Sequence, residues 1–68
     1  MITCNILSKT SDLVGGNMTV KADVVNEIDE NTAVVLTTMV VKIPGGKLFI
    51  NSQVKGFVLA RYNAIYGL

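Results

Sequence analysis

The chain has no histidine and no tryptophan, and it carries a single cysteine and a single proline among 68 residues. Without histidine, the commonest general base of enzyme active sites is missing. One cysteine permits no intramolecular disulfide, and Cys4 with scattered carboxylates cannot close a zinc site. Cys4 also has no imidazole to raise its thiolate fraction, so it reads as a small buried hydrophobe rather than a nucleophile. These gaps point to a non-enzymatic protein with no catalytic residue, no metal site and no cofactor.

Long apolar runs are missing too. The stretch Ala33–Leu36 is interrupted by Thr37 and Thr38 and followed by Lys42, well short of the ~20 apolar residues of a membrane-spanning helix. The N-terminus shows no basic region followed by an apolar stretch, so no signal peptide is expected. Asn17-Met18-Thr19 matches a glycosylation sequon, but without a secretory signal it reads as chance. A cytoplasmic setting, in a cell or an infected host, is the expectation, with no membrane partner.

Acids vanish after Glu30. All five lie between Asp12 and Glu30, whereas Lys42, Lys47, Lys55 and Arg61 follow without a counter-charge. Residues 1–34 hold two bases and five acids, net −3; residues 35–68 hold four bases and no acid, net +4, which together give the overall +1. That division suggests an anionic partner for the second half or self-association of unlike faces.

What is present is β-branched and apolar. A chain this short is a single domain, 1–68, and buries only around 60% of its unfolded surface, so its core is marginal. With disulfides and metals excluded, oligomerisation is the remaining remedy. A hydrophobic content of 50% is high for a small monomer and suggests apolar area reserved for copies or partners.

Ile2–Ser8 reads as a first strand, with Ile2, Cys4 and Ile6 on one face. Ser11–Asn17, with Gly15 and Gly16, is the longest irregular stretch. From Met18 to Ile28, Met18, Val20, Ala22 and Val24 alternate with Thr19, Lys21 and Asp23, the pattern of a half-buried strand. Asp29-Glu30-Asn31 is a turn, with Asn31 suited to a left-handed backbone. Thr32–Ile43 is apolar on both faces, which predicts a central strand covered twice. Pro44-Gly45-Gly46 is a turn. Lys47–Phe57 then reads as a returning strand that completes a central hairpin over Thr32–Phe57, with Gly56 at a bulge or close approach.

The tail has two readings. As a strand to about Tyr62 it extends the meander. As a helix from near Ser52 it stacks Val54, Phe57, Val58, Arg61 and Ile65, with Gly67 as its stop. The favoured fold class is all-β: a small antiparallel meander of four to five strands, forming a barrel or sandwich through self-association. The alternative is a β-meander with a C-terminal helix.

On the strand reading, one face of Lys47–Phe57 carries Lys47, Phe49, Asn51, Gln53, Lys55 and Phe57, and continues to Arg61. Bases interleaved with aromatics on one strand can hold a phosphate backbone while stacking bases. The plainer reading is a solvent face with aromatics packed at a subunit interface. Tyr62 and Tyr66 are candidate interface anchors, or ordinary packing residues. Asp23, Glu27, Asp29 and Glu30 cluster around one strand end; a solvated turn is favoured over a carboxylate pair or cation site. Neither Gly15-Gly16-Asn17 nor Pro44-Gly45-Gly46-Lys47 has the spacing of a phosphate-binding loop.

Two local resemblances bear on partners. Gly46–Lys55 resembles the Gly-Arg-x-x-Ile-Pro segment of swapped-hairpin DNA-binding domains, with Asn51 where that family has proline. Val20–Val35 resembles the first hairpin of small RNA-binding barrels. Neither transfers a functional residue. The size, the turn-rich strands and the missing enzymatic set are also the style of small phage or viral accessory and inhibitor proteins. The expected function is an oligomeric interaction module presenting a sheet face or edge to a protein partner. A nucleic-acid-binding module is the alternative, and a small anionic ligand held between subunits is the second alternative.

Overall fold

The structure, a computed structural model, describes residues 1–12 and 14–67. Leu13, within the expected irregular stretch, and Leu68, at the end of the tail, lie outside the described residues. Strands β1 (Ile2–Ser11), β2 (Met18–Asp29) and β3 (Thr32–Ile43) are followed by a 3-10 turn (Gly46–Leu48) and helix α1 (Asn51–Tyr66). The strands form one antiparallel sheet in the order β1-β2-β3. The protein is therefore mostly β, a meander with a C-terminal helix, and not a four-to-five-stranded barrel or sandwich.

The alternation in β2 sets the layers. Met18, Val20, Ala22 and Val24 are buried, and their neighbours across the ladder are Ile43, Val41, Met39 and Thr37 of β3. Cys4 faces Val24 from β1. This single apolar face must be covered, and α1 covers it with Val54, Val58 and Tyr62, a stripe at i, i+4 and i+8. On a strand those three would share a face with Gly56 and Ala60; on a helix they converge, so closing the core selects the helix over the expected strand. Lys47–Phe57 accordingly forms no hairpin with β3. Gly56 lies within α1, where an added Cβ would meet nothing within 4 Å, so it is neither a bulge nor a close approach.

The helix ends are defined locally. Ile50 has no acceptor in its side chain, so only half of a capping box forms: Gln53 Oε1 accepts the Ile50 N–H at 3.0 Å. At the other end Gly67 takes φ +73° and donates to the Asn63 carbonyl at 2.9 Å, the helix stop that the alternative reading expected.

The turn before α1 is tied to the loop between β1 and β2. The Lys47 N–H donates to the Gly16 carbonyl at 3.1 Å, and the Gly45 N–H donates to Asn17 Oδ1 at 3.2 Å. Gly46 is buried here; a Cβ at this position would lie 2.9 Å from both Cβ and Cγ2 of Ile43 and 3.1 Å from Cβ of Met18. Only glycine lets the chain pass this close to the end of the sheet.

The β2–β3 turn departs from expectation. Among the described residues no non-glycine takes positive φ, so Asn31 is not left-handed. Instead Asp29 Oδ1 accepts the Asn31 N–H at 2.8 Å, an aspartate turn that needs no left-handed residue. The ladder also shifts between Glu27 and Asp29, leaving Ile28 as a bulge.

β3 is not a doubly covered central strand: it lies at the edge of the sheet. Its odd positions near the C-terminal end, Met39, Val41 and Ile43, are buried, whereas Val34, Val35, Leu36 and Val40 are exposed. Length explains the uncovered part. An α1 of 16 residues spans about 24 Å, against about 40 Å for the 12 residues of β2. The hairpin therefore runs past its cover, and the molecule measures 41 × 25 × 16 Å.

Candidate functional site

The sequence-nominated residues do not share a face. Lys47 is exposed in the 3-10 turn. Phe49 and Phe57 are half-buried and pack against the core, so their rings are partly occupied. Asn51 Oδ1 accepts Lys9 Nζ at 2.6 Å, Gln53 caps the helix, and Lys55 and Arg61 are exposed on α1. Residues two apart on a strand share a face, but two apart on a helix they diverge by about 200°. The basic–aromatic row thus disperses around α1. Tyr62 is buried in the core; Tyr66 is exposed, and the two rings lie 4.8 Å apart.

Flanks of α1 can be assigned. Asn51 contacts Lys9, and the Cys4 Sγ–H points to the Lys55 carbonyl at 3.7 Å, so this flank overlies β1. Helical periodicity puts Phe57 and Ala64 on the opposite flank and Ala60 on the outer face of α1. With Arg61, they line a shallow depression of about 210 Å³.

The acids collect at the hairpin tip. Glu27, Asp29 and Glu30, with Asn31, Thr32 and Ala33, border an open depression of about 280 Å³. Among the described residues no group of three or more histidine, cysteine or acidic side chains is placed to hold a metal ion. Cys4 is buried, and loss of hydration pushes its thiol pKa up, with a smaller opposing pull from the Lys55 ammonium. A thiol held protonated is a poor nucleophile.

The surface that stands out carries exposed apolar side chains. Residues 27–36 are all exposed, and among them Ile28, Val34, Val35 and Leu36 are 62%, 46%, 56% and 42% accessible. Farther along the same edge Val40 is 68% accessible. The other edge is less apolar. Both edges carry a bulge and a lysine, Leu7 and Lys9 in β1 and Leu36 and Lys42 in β3, features that discourage edge pairing. The exposed large apolar side chains of β1, however, are Ile2 and Leu7, against Val34, Val35, Leu36 and Val40 of β3. The helix also contacts β1 more than β3.

Sequence reasoning passed over Ile28, Val34, Val35, Leu36 and Val40 as site residues. The signal was visible as apolar side chains on both faces of Thr32–Ile43. That pattern predicts double cover, and an edge strand with one bare apolar face carries the same pattern.

Compared with known proteins, the chain matches no family model, no curated protein and no solved structure. Among the described residues no helix is long and apolar enough to cross a membrane.

Proposed function

We propose that this protein is a non-enzymatic interaction module that works in the cytoplasm by presenting the β2–β3 hairpin and the β3 edge to a protein partner. The observation that carries the reading is the uncovered run of residues 27–36 with four exposed branched aliphatic side chains. Apolar area left bare beside unpaired strand edges favours association with another protein. The tip also carries Glu27, Asp29 and Glu30, which favours a partner with bases around an apolar groove and disfavours a polyanion at that end. A small accessory or inhibitor protein would act in this way, by adding a strand or wedging a hairpin into its target.

The test is affinity capture from the native host with tagged protein, run beside Leu36→Asp and Val34→Asp. Both side chains are already exposed, so the variants are expected to keep the wild-type circular dichroism spectrum. The expected result is a protein captured by the wild type and lost with either variant. Retention on DNA or RNA that falls steeply with salt, unaffected by Leu36→Asp and abolished by Lys55→Glu and Arg61→Glu, would replace this reading with nucleic-acid binding.

A further inference from the structure

We propose that the partner of the β3 edge is a second copy of the same chain, docked antiparallel about a two-fold axis through Val40. This rests on the edge being an interaction surface, as proposed above, and it names the occupant of that edge. The hairpin tip remains available to other proteins.

The register follows from the strand itself. From Thr37 to Ile43 the β3 ladder is unbroken; the shift that leaves Leu36 unpaired ends it on one side, and Pro44 ends it on the other. Antiparallel neighbours in one sheet must place side chains of the same face opposite each other. In β3 the helix-covered face holds Thr37, Met39, Val41 and Ile43, and the open face holds Thr38, Val40 and Lys42. Centring the axis on Val40 uses the whole unbroken stretch. It opposes Val40 with Val40 of the second copy, Met39 with its Val41, and Thr38 with its Lys42. Shifting the axis by one residue either runs into the Leu36 bulge or opposes Lys42 with Val40.

Charge supports the same register. Thr38 Oγ donates a hydrogen bond to the Asp23 carboxylate on the open face. Asp23 lies one strand inward, on β2. Lys42 of the second copy, placed opposite Thr38, starts two strand spacings from Asp23, about 10 Å. An extended lysine and an aspartate close that gap, and symmetry makes the contact twice. The same face also carries Lys21, opposite Val40 and two residues from Asp23 along β2. Asp23 thus has one lysine of its own copy beside it, and Lys42 of the second copy adds a charge contact across the junction.

Packing adds to it. The most exposed branched side chain of β3, Val40, gains its own twin as cover. Met39 and Val41 carry the core across the junction, and the α1 flanks of Phe57 and Ala64 face each other above one six-stranded sheet. A short paired edge is at the small end of stable interfaces, so association in the micromolar range is expected.

The test is site-directed cross-linking of the full chain at micromolar concentration. Directly opposed residues of an antiparallel pair have Cα atoms about 4.5–5.5 Å apart, within the range a disulfide spans. Val40→Cys is expected to form a disulfide-linked dimer on mild oxidation. Wild type, whose Cys4 is buried, and Leu7→Cys on the β1 edge are expected not to. In sedimentation equilibrium, Lys42→Glu is expected to weaken the dimer at least tenfold, and Asp23→Lys with Lys42→Glu to restore it. A wild type that is monomeric throughout the micromolar range overturns the proposal. So does a wild-type dimer in which Val40→Cys fails to cross-link. Neither result touches capture by the hairpin tip, which Leu36→Asp and Val34→Asp test separately.

Discussion

Three glycines test the fold with opposite signs. Gly46→Ala introduces a methyl 2.9 Å from Cβ and Cγ2 of Ile43 and 3.1 Å from Cβ of Met18. Carbon atoms prefer about 3.5–4.0 Å, so the shortfall is more than half an ångström. The Ile43 Cβ is fixed to its backbone and cannot swing aside, so the strand end or the turn must shift. Overpacking of this kind costs about 1–3 kcal/mol, which in a domain of this size lowers Tm by about 4–8 °C for each kcal/mol. Gly45→Ala meets nothing within 4 Å but must hold φ +68°, at a cost of about 1–2 kcal/mol. Gly56→Ala also meets nothing within 4 Å, and in a helix it gains about 1 kcal/mol. Urea denaturation of the three variants, at one protein concentration because association raises apparent stability, gives the signs directly. Gly46→Ala matching wild type would contradict the close approach to Ile43, and a destabilising Gly56→Ala would contradict an open helical position at Gly56.

Five further outcomes are expected. Val58→Ala, at a position with no accessible surface, removes two buried carbons and leaves a cavity, at a cost of about 2–3 kcal/mol; Leu48→Ala, 88% exposed, stays within about 0.5 kcal/mol of wild type in the same denaturant titration. Burial raises the Cys4 pKa, so the folded state holds its proton more tightly than the unfolded state. Stability assigned to the thiol is therefore full below the ordinary thiol pKa and falls as pH rises above it; subtracting the same pH series for Cys4→Ala isolates that slope, and a slope of the opposite sign contradicts the burial. A thiol reagent is expected to label native protein far more slowly than urea-unfolded protein. Gln53→Ala removes the half capping box and is expected to lose about 1 kcal/mol of stability, read as a lower Tm by circular dichroism.

The β part of the molecule was legible because its period is local. Met18, Val20, Ala22 and Val24 alternate with polar residues, and that period survives whatever packs above it. The failures are also physical. Phe49, Asn51, Gln53, Lys55 and Phe57 satisfy a period of two by chance, while Val54, Val58 and Tyr62 satisfy a helical period; twelve residues do not decide between them. The two apolar faces of Thr32–Ile43 predict the middle of a sheet, but an edge strand with one bare face carries the same pattern.

Taken alone, the amino-acid sequence determined the missing chemistry, the separation of acids from bases, the β2 alternation and the turns at Asp29–Asn31 and Pro44–Gly46. These depend on residue identity and short-range geometry. Tertiary structure alone decided that the segment after Phe49 is a helix, that β3 is an edge, and which apolar side chains remain bare. A sheet with one apolar face must recruit a cover, and among the described residues α1 supplies the apolar stripe that fits that face. Because α1 is shorter than the hairpin it covers, the tip and the β3 edge are left without one.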